Sequence, residues 1–272
     1  MPRALVAAAA AGIAACASLG AADEFPALMT HSPDRSAEDI VGAAYAAAGG
    51  QGWVRPETLA MDGYAVFYRD GMSVVHERHT MYRVYASDKS DAHRADGKVR
   101  VTSIRDGRAL IDVAFDGDVT STAEGPQPRS EADARWASNF GFGVIRHALD
   151  PGYALARLPD DLVDGTPAYF VRVIDPAGGE TQFGIAHDDH AVLSVAFDTD
   201  RGWHERRYTG FYRNPGADWV QPRRVRLFYD GVKANEVIWT RHIVDAPLPD
   251  CLFALPQRDG CAGPFDSDRP AP

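Results

Sequence analysis

The chain has 272 residues with a formal net charge of −10, and 45% of its residues are hydrophobic. An acidic chain lacks the positive surface that nucleic acids and anionic membrane surfaces attract, so we do not expect it to bind either of them. Its length and hydrophobic content are sufficient to bury a large core.

The N-terminal segment has the pattern of a secretory signal peptide. Arg3 precedes an apolar, alanine-rich run, and small residues follow before the first acid, Asp23. We therefore predict that residues 1–22 are removed on export to the periplasm of a Gram-negative bacterium, leaving no transmembrane span. Residues 13–16, "IAAC", are also similar to a bacterial lipobox. In that alternative Cys16 is lipidated and anchors the protein to the outer membrane.

The next element in chain order is an amphipathic helix predicted over residues 36–50, with Ser36 as its N-cap and a Gly-Gly pair at its end. A second helix is predicted over residues 130–149, in which Trp136 and Phe140 are spaced four residues apart. Both helices have an apolar face that should pack against the rest of the protein.

Most of the remaining chain is predicted to form antiparallel strands. Asp106-Gly107 joins two alternating runs within residues 98–117, and Asp230-Gly231 does the same within residues 224–244. Asp-Gly between alternating runs is a strong hairpin signal. About ten strands with two helical segments indicate an α+β fold, mainly antiparallel β, in which helices pack on one face of a large curled sheet.

Two cysteines near the C-terminus, Cys251 and Cys261, are predicted to form a disulfide. Cys16 is removed or lipidated after export, and an oxidising compartment favours pairing of the other two. Their spacing does not match a Cys-x-x-Cys redox centre, and a zinc site needs about four ligands. We predict that residues 257–272 are a tail with a disulfide-closed turn, and that "LFALP" before it is the last strand anchor, with Leu252 or Phe253 packed against the sheet.

Two histidine-rich motifs are candidates for metal ligands. His76 and His79 in "HERH" are expected on one strand, where they would face opposite sides and could not bind one ion. The motif "HDDH", residues 187–190, is expected in a solvated turn between two strands. We therefore predict no metal site and no cofactor.

The sequence offers no convincing catalytic set. The motif "GFGVIR", residues 141–146, lacks the third glycine of a dinucleotide-binding loop and lies in a helical segment. The carboxylates of Asp160, Asp161 and Asp164 lie near proline and glycine, which favours a structural turn. The protein is not predicted to be an enzyme.

Aromatic and β-branched residues alternate along several predicted strands. Core packing accounts for any one of them, but a curled sheet that its helices do not fill would leave a hydrophobic cavity. The alternating residues are Tyr64, Val66, Tyr82, Val84, Tyr169, Val171, Val173, Trp239 and Ile243.

The order of these segments resembles the LolA/LolB-like superfamily of periplasmic lipoprotein carriers and outer-membrane sorting proteins. The resemblance spans residues 36 to 256 and rests on four stretches in the same order. They are "GGQGWVRPETLAMDGYAVFYRDG", "MYRVYA" with "VTSIRDGRALIDVAF", "LPDDLVDGTPAYFVRVIDPAGGETQFGI" and "WVQPRRVRLFYDGVKANEVIWTRHIVDAPLPDCLFALP".

The resemblance implies a single half-barrel domain over residues 23–256, with about eleven antiparallel strands and two or three helices as a lid over an apolar concave face. Its cavity would hold acyl chains of a lipoprotein or another hydrophobic ligand. Arg83 matches the strand arginine that some carriers place near the cavity mouth. The candidate ligand-binding residues are Tyr64, Val66, Tyr82, Arg83, Trp136, Phe140, Tyr169, Val171 and Trp239.

We therefore predict an exported, non-catalytic envelope protein that binds a lipid, an acyl chain or the acyl groups of a lipoprotein. Its partners would be that hydrophobic ligand or lipoprotein, and an envelope protein in the alternative of a sensing or scaffold protein with the same fold. A metal-assisted hydrolase that uses the histidine and aspartate turns is the more distant alternative.

Overall fold

A computed structural model describes residues 35–85, 97–128, 143–214, 216–257 and 260–266. The helices are α1 (Ala37–Ala48), α2 (Gln51–Val54) and the 3₁₀ helices η1 (Ile145–His147) and η2 (Asp250–Phe253). The strands are β1 (Thr58–Arg69), β2 (Met72–Val84), β3 (Lys98–Arg105), β4 (Arg108–Phe115), β5 (Thr120–Thr122), β6 (Gly125–Pro126), β7 (Ala154–Val163), β8 (Thr166–Ile174), β9 (Glu180–Ala186), β10 (Val192–Thr199), β11 (Gly202–Arg213), β12 (Val220–Tyr229) and β13 (Val232–Val244).

The strands form one 13-stranded antiparallel sheet in the order β6-β5-β4-β3-β2-β1-β13-β12-β11-β10-β9-β8-β7. Neighbours in the sheet are also neighbours in sequence, except that β1 pairs with β13 in the middle. The sheet ends at β6 and β7 and is therefore open. This confirms the predicted mainly antiparallel fold and its open half-barrel.

Helix α1 forms where the sequence predicts it. The backbone N–H of Asp39 donates a hydrogen bond of 3.0 Å to the Ser36 hydroxyl, and the helix ends at Gly49. Gly49 has a φ of 133°, and a Cβ there would lie 2.0 Å from the carbonyl oxygen of Asp218, so this position requires glycine.

The two Asp-Gly hairpins are also confirmed. Asp106 and Gly107 have φ values of 51° and 71° between β3 and β4, and Asp230 and Gly231 have values of 47° and 76° between β12 and β13. Two consecutive residues with positive φ match the type I′ turn that such hairpins favour.

The two faces of the sheet pack against different parts of the chain. On the face that we call concave, the buried Ile40, Val41 and Ala44 of α1 join a core cluster with residues of the sheet. On the opposite face, a second cluster combines Ala60 and Tyr82 of the sheet with three residues of the C-terminal segment, Leu252, Phe253 and Phe265.

In the C-terminal segment, Leu252 and Phe253 pack against the sheet as predicted. The stretch "LFALP" does not continue as a strand: Asp250–Phe253 is a 3₁₀ helix, and residues beyond it turn back across the sheet. Cys251 and Cys261 form the predicted disulfide, with their Cα atoms 6.0 Å apart. Phe265, in the predicted tail, is buried against Tyr82, with ring centroids 6.3 Å apart.

Two further predictions concern the second helix and the turn that contains Asp160, Asp161 and Asp164. Residues 130–142 of the predicted second helix lie outside the described residues, and the described part that follows contains only the 3₁₀ turn Ile145–His147. Asp160 and Asp161 belong to β7 and not to a turn, because β7 continues through a register shift between Leu158 and Asp161. Asp164 lies in the turn, as predicted.

Among the described residues, no helix combines the length and the apolar character needed to cross a bilayer.

Candidate functional site

The concave face contains a cavity of about 440 Å³. Its lining comes from β1–β4 on one side and β10–β13 on the other. The residues around it are Leu59, Met61, Phe67, His79, Met81, Arg83, Tyr85, Val101, Ile111, Arg146, Phe197, Thr199, Asp200, Arg201, His204, Arg206, Tyr208, Gln221, Pro222, Val225, Leu227, Tyr229, Asn235, Val237 and Trp239.

Strand alternation and register determine which side chains form the walls of the cavity. Met61 of β1 pairs with Met81 of β2, and Val101 of β3 pairs with Met81 from the other side, so these three side chains lie on one face. Across the sheet, Val225 of β12 pairs with Val237 of β13. Cross-strand partners in a curled sheet converge, which encloses an apolar space.

The lining of the cavity combines exposed and buried residues. Asp200 and Arg201 are exposed in the turn between β10 and β11, whereas Arg83, Trp239 and Tyr208 are buried.

Three arginines line the cavity and come from separate segments: Arg83 from β2, Arg146 from η1 and Arg206 from β11. Arg83 and Arg146 are each only 3% exposed. Burial lowers the pKa of all three guanidinium groups, because a low-dielectric environment disfavours the charged form. An arginine nevertheless remains protonated in a protein, so the cavity contains fixed positive charge.

Aromatic rings surround these guanidinium groups. The Arg146 Cζ lies 4.8 Å from the ring centroid of Trp53, 4.9 Å from that of Tyr85 and 4.9 Å from that of Trp219. Arg83 lies 4.9 Å from the same Tyr85 ring. Stacking on several ring faces stabilises a buried cation and fixes its position.

Helices α1 and α2 hold the segment that carries Arg146. The Tyr45 hydroxyl donates a hydrogen bond of 2.5 Å to the carbonyl oxygen of Ile145, and Arg55 donates one of 3.0 Å to that of Arg146. Arg55 also forms an ion pair with Asp150, at 2.6 Å. Contacts from α1 and from the residue after α2 thereby fix the segment whose Arg146 lines the cavity.

The pKa values of two tyrosines near the arginines shift in opposite directions, although the arginines lower both. Burial raises the pKa of Tyr208 to about 12, so its phenol is neutral near pH 7. Burial also raises the pKa of Tyr85, but the charges of Arg146 and Arg83 outweigh it, and that pKa is lowered overall. Tyr85 lies between two guanidinium groups, whose charges favour its phenolate form.

Two histidines in the wall are neutral. Burial lowers the pKa of His79 to about 4 and that of His204 to about 3. His79 lies beside Trp239, with ring centroids 5.4 Å apart. His204 stacks on Phe197 at 4.5 Å and accepts a hydrogen bond of 3.1 Å from Arg206 Nε. These rings therefore contribute polar but uncharged surface.

The prediction that His76 and His79 face opposite sides is wrong. His79 pairs with Gly63 of β1 and His76 pairs with Ala65, so three steps along β2 match two steps along β1. Such a β-bulge adds one residue and restores both imidazoles to the same face. His76 lies 2.7 Å from the Ser103 hydroxyl, within hydrogen-bonding distance.

Five of the predicted ligand-binding residues lie in β1, β2 and β13. Arg83 and Trp239 line the cavity. Tyr82 is buried on the opposite face, in the cluster with Phe265. Tyr64 and Val66 also point away from the cavity, because they alternate with Ala65 and Phe67 of the concave face.

The remaining predicted residues lie elsewhere. Tyr169 and Val171 of β8 are buried in the core cluster of the concave face and do not border the cavity. Trp136, Phe140 and Cys16 lie outside the described residues.

The "HDDH" motif forms the predicted turn between β9 and β10. His187 stacks on Tyr169 with ring centroids 4.0 Å apart, and its Nε2 lies 3.3 Å from an oxygen of Asp160. Within the part of the chain that the structure describes, no group of three or more histidine, cysteine, aspartate or glutamate residues is arranged to hold a metal ion.

Sequence reasoning missed Arg146 and Arg206. In "WHERRYTG", the alternation of His204, Arg206 and Tyr208 could have placed these three side chains on one face. For Arg146 there was no such signal, because its position in the cavity depends on contacts with α1 and α2.

No family model matches the sequence, and no curated protein matches it. Solved structures are similar to this chain over most of its length. One is an outer membrane lipoprotein-sorting protein domain from Vibrio parahaemolyticus, 14% identical, covering 79% of this chain and 95% of its own with a TM-score of 0.48. Another is a LolA superfamily protein from Nitrosomonas europaea, 11% identical, covering 80% and 97% with a TM-score of 0.49.

A third similar structure is a DUF1329 family protein from Desulfovibrio piger, 10% identical, covering 80% of this chain and 96% of its own with a TM-score of 0.46. At these identities the likeness concerns the fold.

Proposed function

We propose that the protein is an exported, non-catalytic carrier that binds one hydrophobic ligand, an acyl chain or a lipid, in the cavity of its curled sheet. The observation that carries this proposal is the cavity itself, about 440 Å³ in volume and walled by side chains such as Met61, Met81 and Val237. Ligand sites for small molecules have volumes of about 300–1,000 Å³ and mainly apolar walls. The binding needs no cofactor and no covalent step.

The first test is titration with a neutral fluorescent probe, N-phenyl-1-naphthylamine, in the wild type and two matched variants. Val237→Trp places a large ring in the cavity and should weaken probe binding by about tenfold or more, since it fills the apolar space. Val232→Trp is the control, because Val232 lies on the same strand but is 72% exposed and does not border the cavity. Equal binding by both variants, with unchanged melting temperatures, would contradict the proposal.

The second test concerns the natural ligand. Protein purified from the periplasm is extracted with organic solvent, and the extract is analysed by mass spectrometry. A stoichiometric apolar compound that Val237→Trp does not retain would support the proposal. Ligand-free protein that also fails to bind the probe would oppose it.

We also propose that the mature protein lies in the periplasm, to which the signal-peptide pattern of residues 1–22 would deliver it. Intact-mass analysis distinguishes the two forms of the N-terminus. A chain beginning at Ala22 or Asp23 means cleavage, whereas a chain beginning at a lipid-modified Cys16 means an anchored form.

A further inference from the structure

The cavity on the concave face is long in the direction of the strands. Leu59 and Phe67 of β1 both border it, and so do Gln221 and Tyr229 of β12. A strand rises about 3.3 Å per residue, so each of these walls is about 25 Å long. The cavity is therefore long enough for an extended acyl chain, since a lipid chain spans only half of the bilayer's hydrocarbon core of about 30 Å.

The volume of the cavity limits how much hydrocarbon it can hold. A methylene group in a liquid hydrocarbon occupies about as much volume as a water molecule in liquid water, about 30 Å³. A cavity of about 440 Å³ has room for about fifteen such groups. That amount is one acyl chain of ordinary length, and two such chains would need about twice the volume.

Contacts across the cavity fix its width. The strands β12, β13 and β1 are hydrogen-bonded neighbours, so the walls on the two sides belong to one continuous sheet. The side-chain amide of Gln221 on β12 donates a hydrogen bond of 3.3 Å to the sulfur of Met61 on β1. Arg146 lies 4.9 Å from the ring centroid of Tyr85, which follows β2, and 4.9 Å from that of Trp219, which precedes β12. A second chain beside the first would have to break these contacts.

The apolar walls suit a chain that is bent as well as one that is straight. Met61 and Met81 are cross-strand partners and both border the cavity. Methionine is unbranched and fills irregular spaces, so these side chains can follow the course of a single chain.

We propose that the cavity holds a single acyl chain of about fifteen carbons, and that its ligand is a one-chain amphiphile such as a fatty acid or a lysophospholipid. This deepens the proposed function and rests on it. A lipid with two chains could place only one of them in the cavity and would leave the other in water. The second chain would therefore add nothing to the affinity.

The first test measures affinity against chain length. Lysophosphatidylcholines with saturated chains of ten to twenty carbons share one headgroup without net charge. Each is titrated below its aggregation concentration, by displacement of N-phenyl-1-naphthylamine from the wild-type protein. We expect the affinity to rise about fourfold for each added carbon up to about fifteen carbons, because each methylene group is withdrawn from water. Further methylene groups stay in water, so the affinity should then stay level. A rise that continues to twenty carbons, or that stops before twelve, would overturn the proposed capacity.

The second test adds a chain to the same headgroup. Didecanoylphosphatidylcholine is compared with the lysophosphatidylcholine that carries one decanoyl chain, in the same displacement titration. The two should bind equally, because the cavity has no room for a chain beside the first. Tighter binding of the two-chain lipid would overturn the exclusion of a second chain.

Two methionines of β2 test whether the cavity itself sets the limiting chain length. Met81→Ala removes three heavy atoms from the wall and makes room for about three more methylene groups, so the affinity should rise up to about eighteen carbons. Met72→Ala is the matched control, because Met72 is 66% exposed and does not border the cavity. An unchanged limiting length in Met81→Ala, or the same increase in Met72→Ala, would overturn the assignment to this cavity. The two tests on the wild-type protein do not depend on whether either variant folds.

The outcomes separate this inference from the proposed function. If the probe binds and is displaced, but the affinity shows no limiting chain length or the second chain tightens binding, the one-chain capacity is overturned while the carrier function stands. If the probe does not bind and none of the lipids binds, both proposals fail.

Discussion

At the scale of single residues, the neutral histidines link the cavity wall to pH. His79 and His204 have pKa values of about 4 and about 3, because the folded sheet shields them from water. In the unfolded chain a histidine has its ordinary value of about 6.5. Between these values the unfolded chain binds more protons than the folded protein, so the free energy of unfolding falls as the pH falls.

We expect each of these two histidines to lower the free energy of unfolding by about 2 kcal/mol between pH 7 and pH 5. His204→Gln keeps an acceptor for Arg206 but does not titrate, and should therefore show a smaller pH dependence than the wild type. Urea unfolding at pH 7, 6 and 5 measures both slopes. Parallel slopes would mean that His204 has an ordinary pKa in the folded protein.

On the opposite face of the same sheet, a buried carboxylate links side chains of neighbouring strands. Asp62 is 7% exposed and accepts hydrogen bonds from Arg78 Nε at 3.0 Å, Arg241 Nη2 at 2.7 Å and the Thr80 hydroxyl at 3.1 Å. It is therefore the shared anion of two cations on β2 and β13, the strands on either side of β1. Without its charge, both guanidinium groups would lose the carboxylate that they share.

Asp62→Asn should lower the free energy of unfolding by about 2 kcal/mol, a value reduced from that of a fully buried pair because the Arg241 side chain is 46% exposed. Asp218→Asn provides the control at an exposed ion pair, with Arg213, where the expected loss is about 0.5 kcal/mol or less. Urea denaturation gives both values. Equal losses would show that the Asp62 carboxylate adds nothing beyond an exposed pair.

At the scale of elements, Gly63 allows the middle of the sheet to bend. The register shifts on both of its sides, between Asp62 and Gly63 against β13 and between Gly63 and Ala65 against β2. A Cβ at this position would lie 1.9 Å from the carbonyl oxygen of Ile238. Because Ile238 belongs to β13, this overlap can be relieved only if the backbone of β13 moves.

Gly63→Ala should therefore lower the free energy of unfolding by about 3 kcal/mol, through overpacking against backbone. Gly42→Ala is the matched control within α1, because a Cβ added there would meet no atom of the described residues within 4 Å. That change should raise the free energy of unfolding by about 0.5–1 kcal/mol, since alanine favours a helix. A neutral Gly63→Ala would refute the role of this bend.

Features set by neighbouring residues can be predicted from the sequence, whereas features set by distant contacts, such as this bend, cannot. Asp-Gly turns and the capped helix α1 depend on neighbouring residues, so local patterns identify them. The shared face of His76 and His79 depends on a bulge set by contacts of Gly63 with β13, far away in sequence. The arginine cluster likewise depends on the curl that brings β2, β11 and η1 together. Local alternation carries no information on that closure.

At the largest scale, the C-terminal segment packs against β1–β5, one half of the sheet, on the face opposite the cavity. Leu252 and Phe253 are fully buried there, and Phe265 is 3% exposed. The backbone N–H of Leu255 donates a hydrogen bond of 3.1 Å to the Ser121 hydroxyl of β5. The disulfide between Cys251 and Cys261 closes this segment into a loop, which restricts the unfolded chain as well as the folded one.

Reduction of the disulfide should lower the melting temperature by about 6–12 °C, because closing a loop of this size contributes about 3 kcal/mol in the chain-entropy model. Cys251→Ser should melt at the lower temperature with or without reductant, which separates loss of the bond from other effects of the reagent. Alkylation of the native protein tests the premise independently, since a formed disulfide leaves Cys251 and Cys261 unlabelled. Two labelled thiols, with a melting temperature that reductant does not change, would refute the stabilising role of this bond.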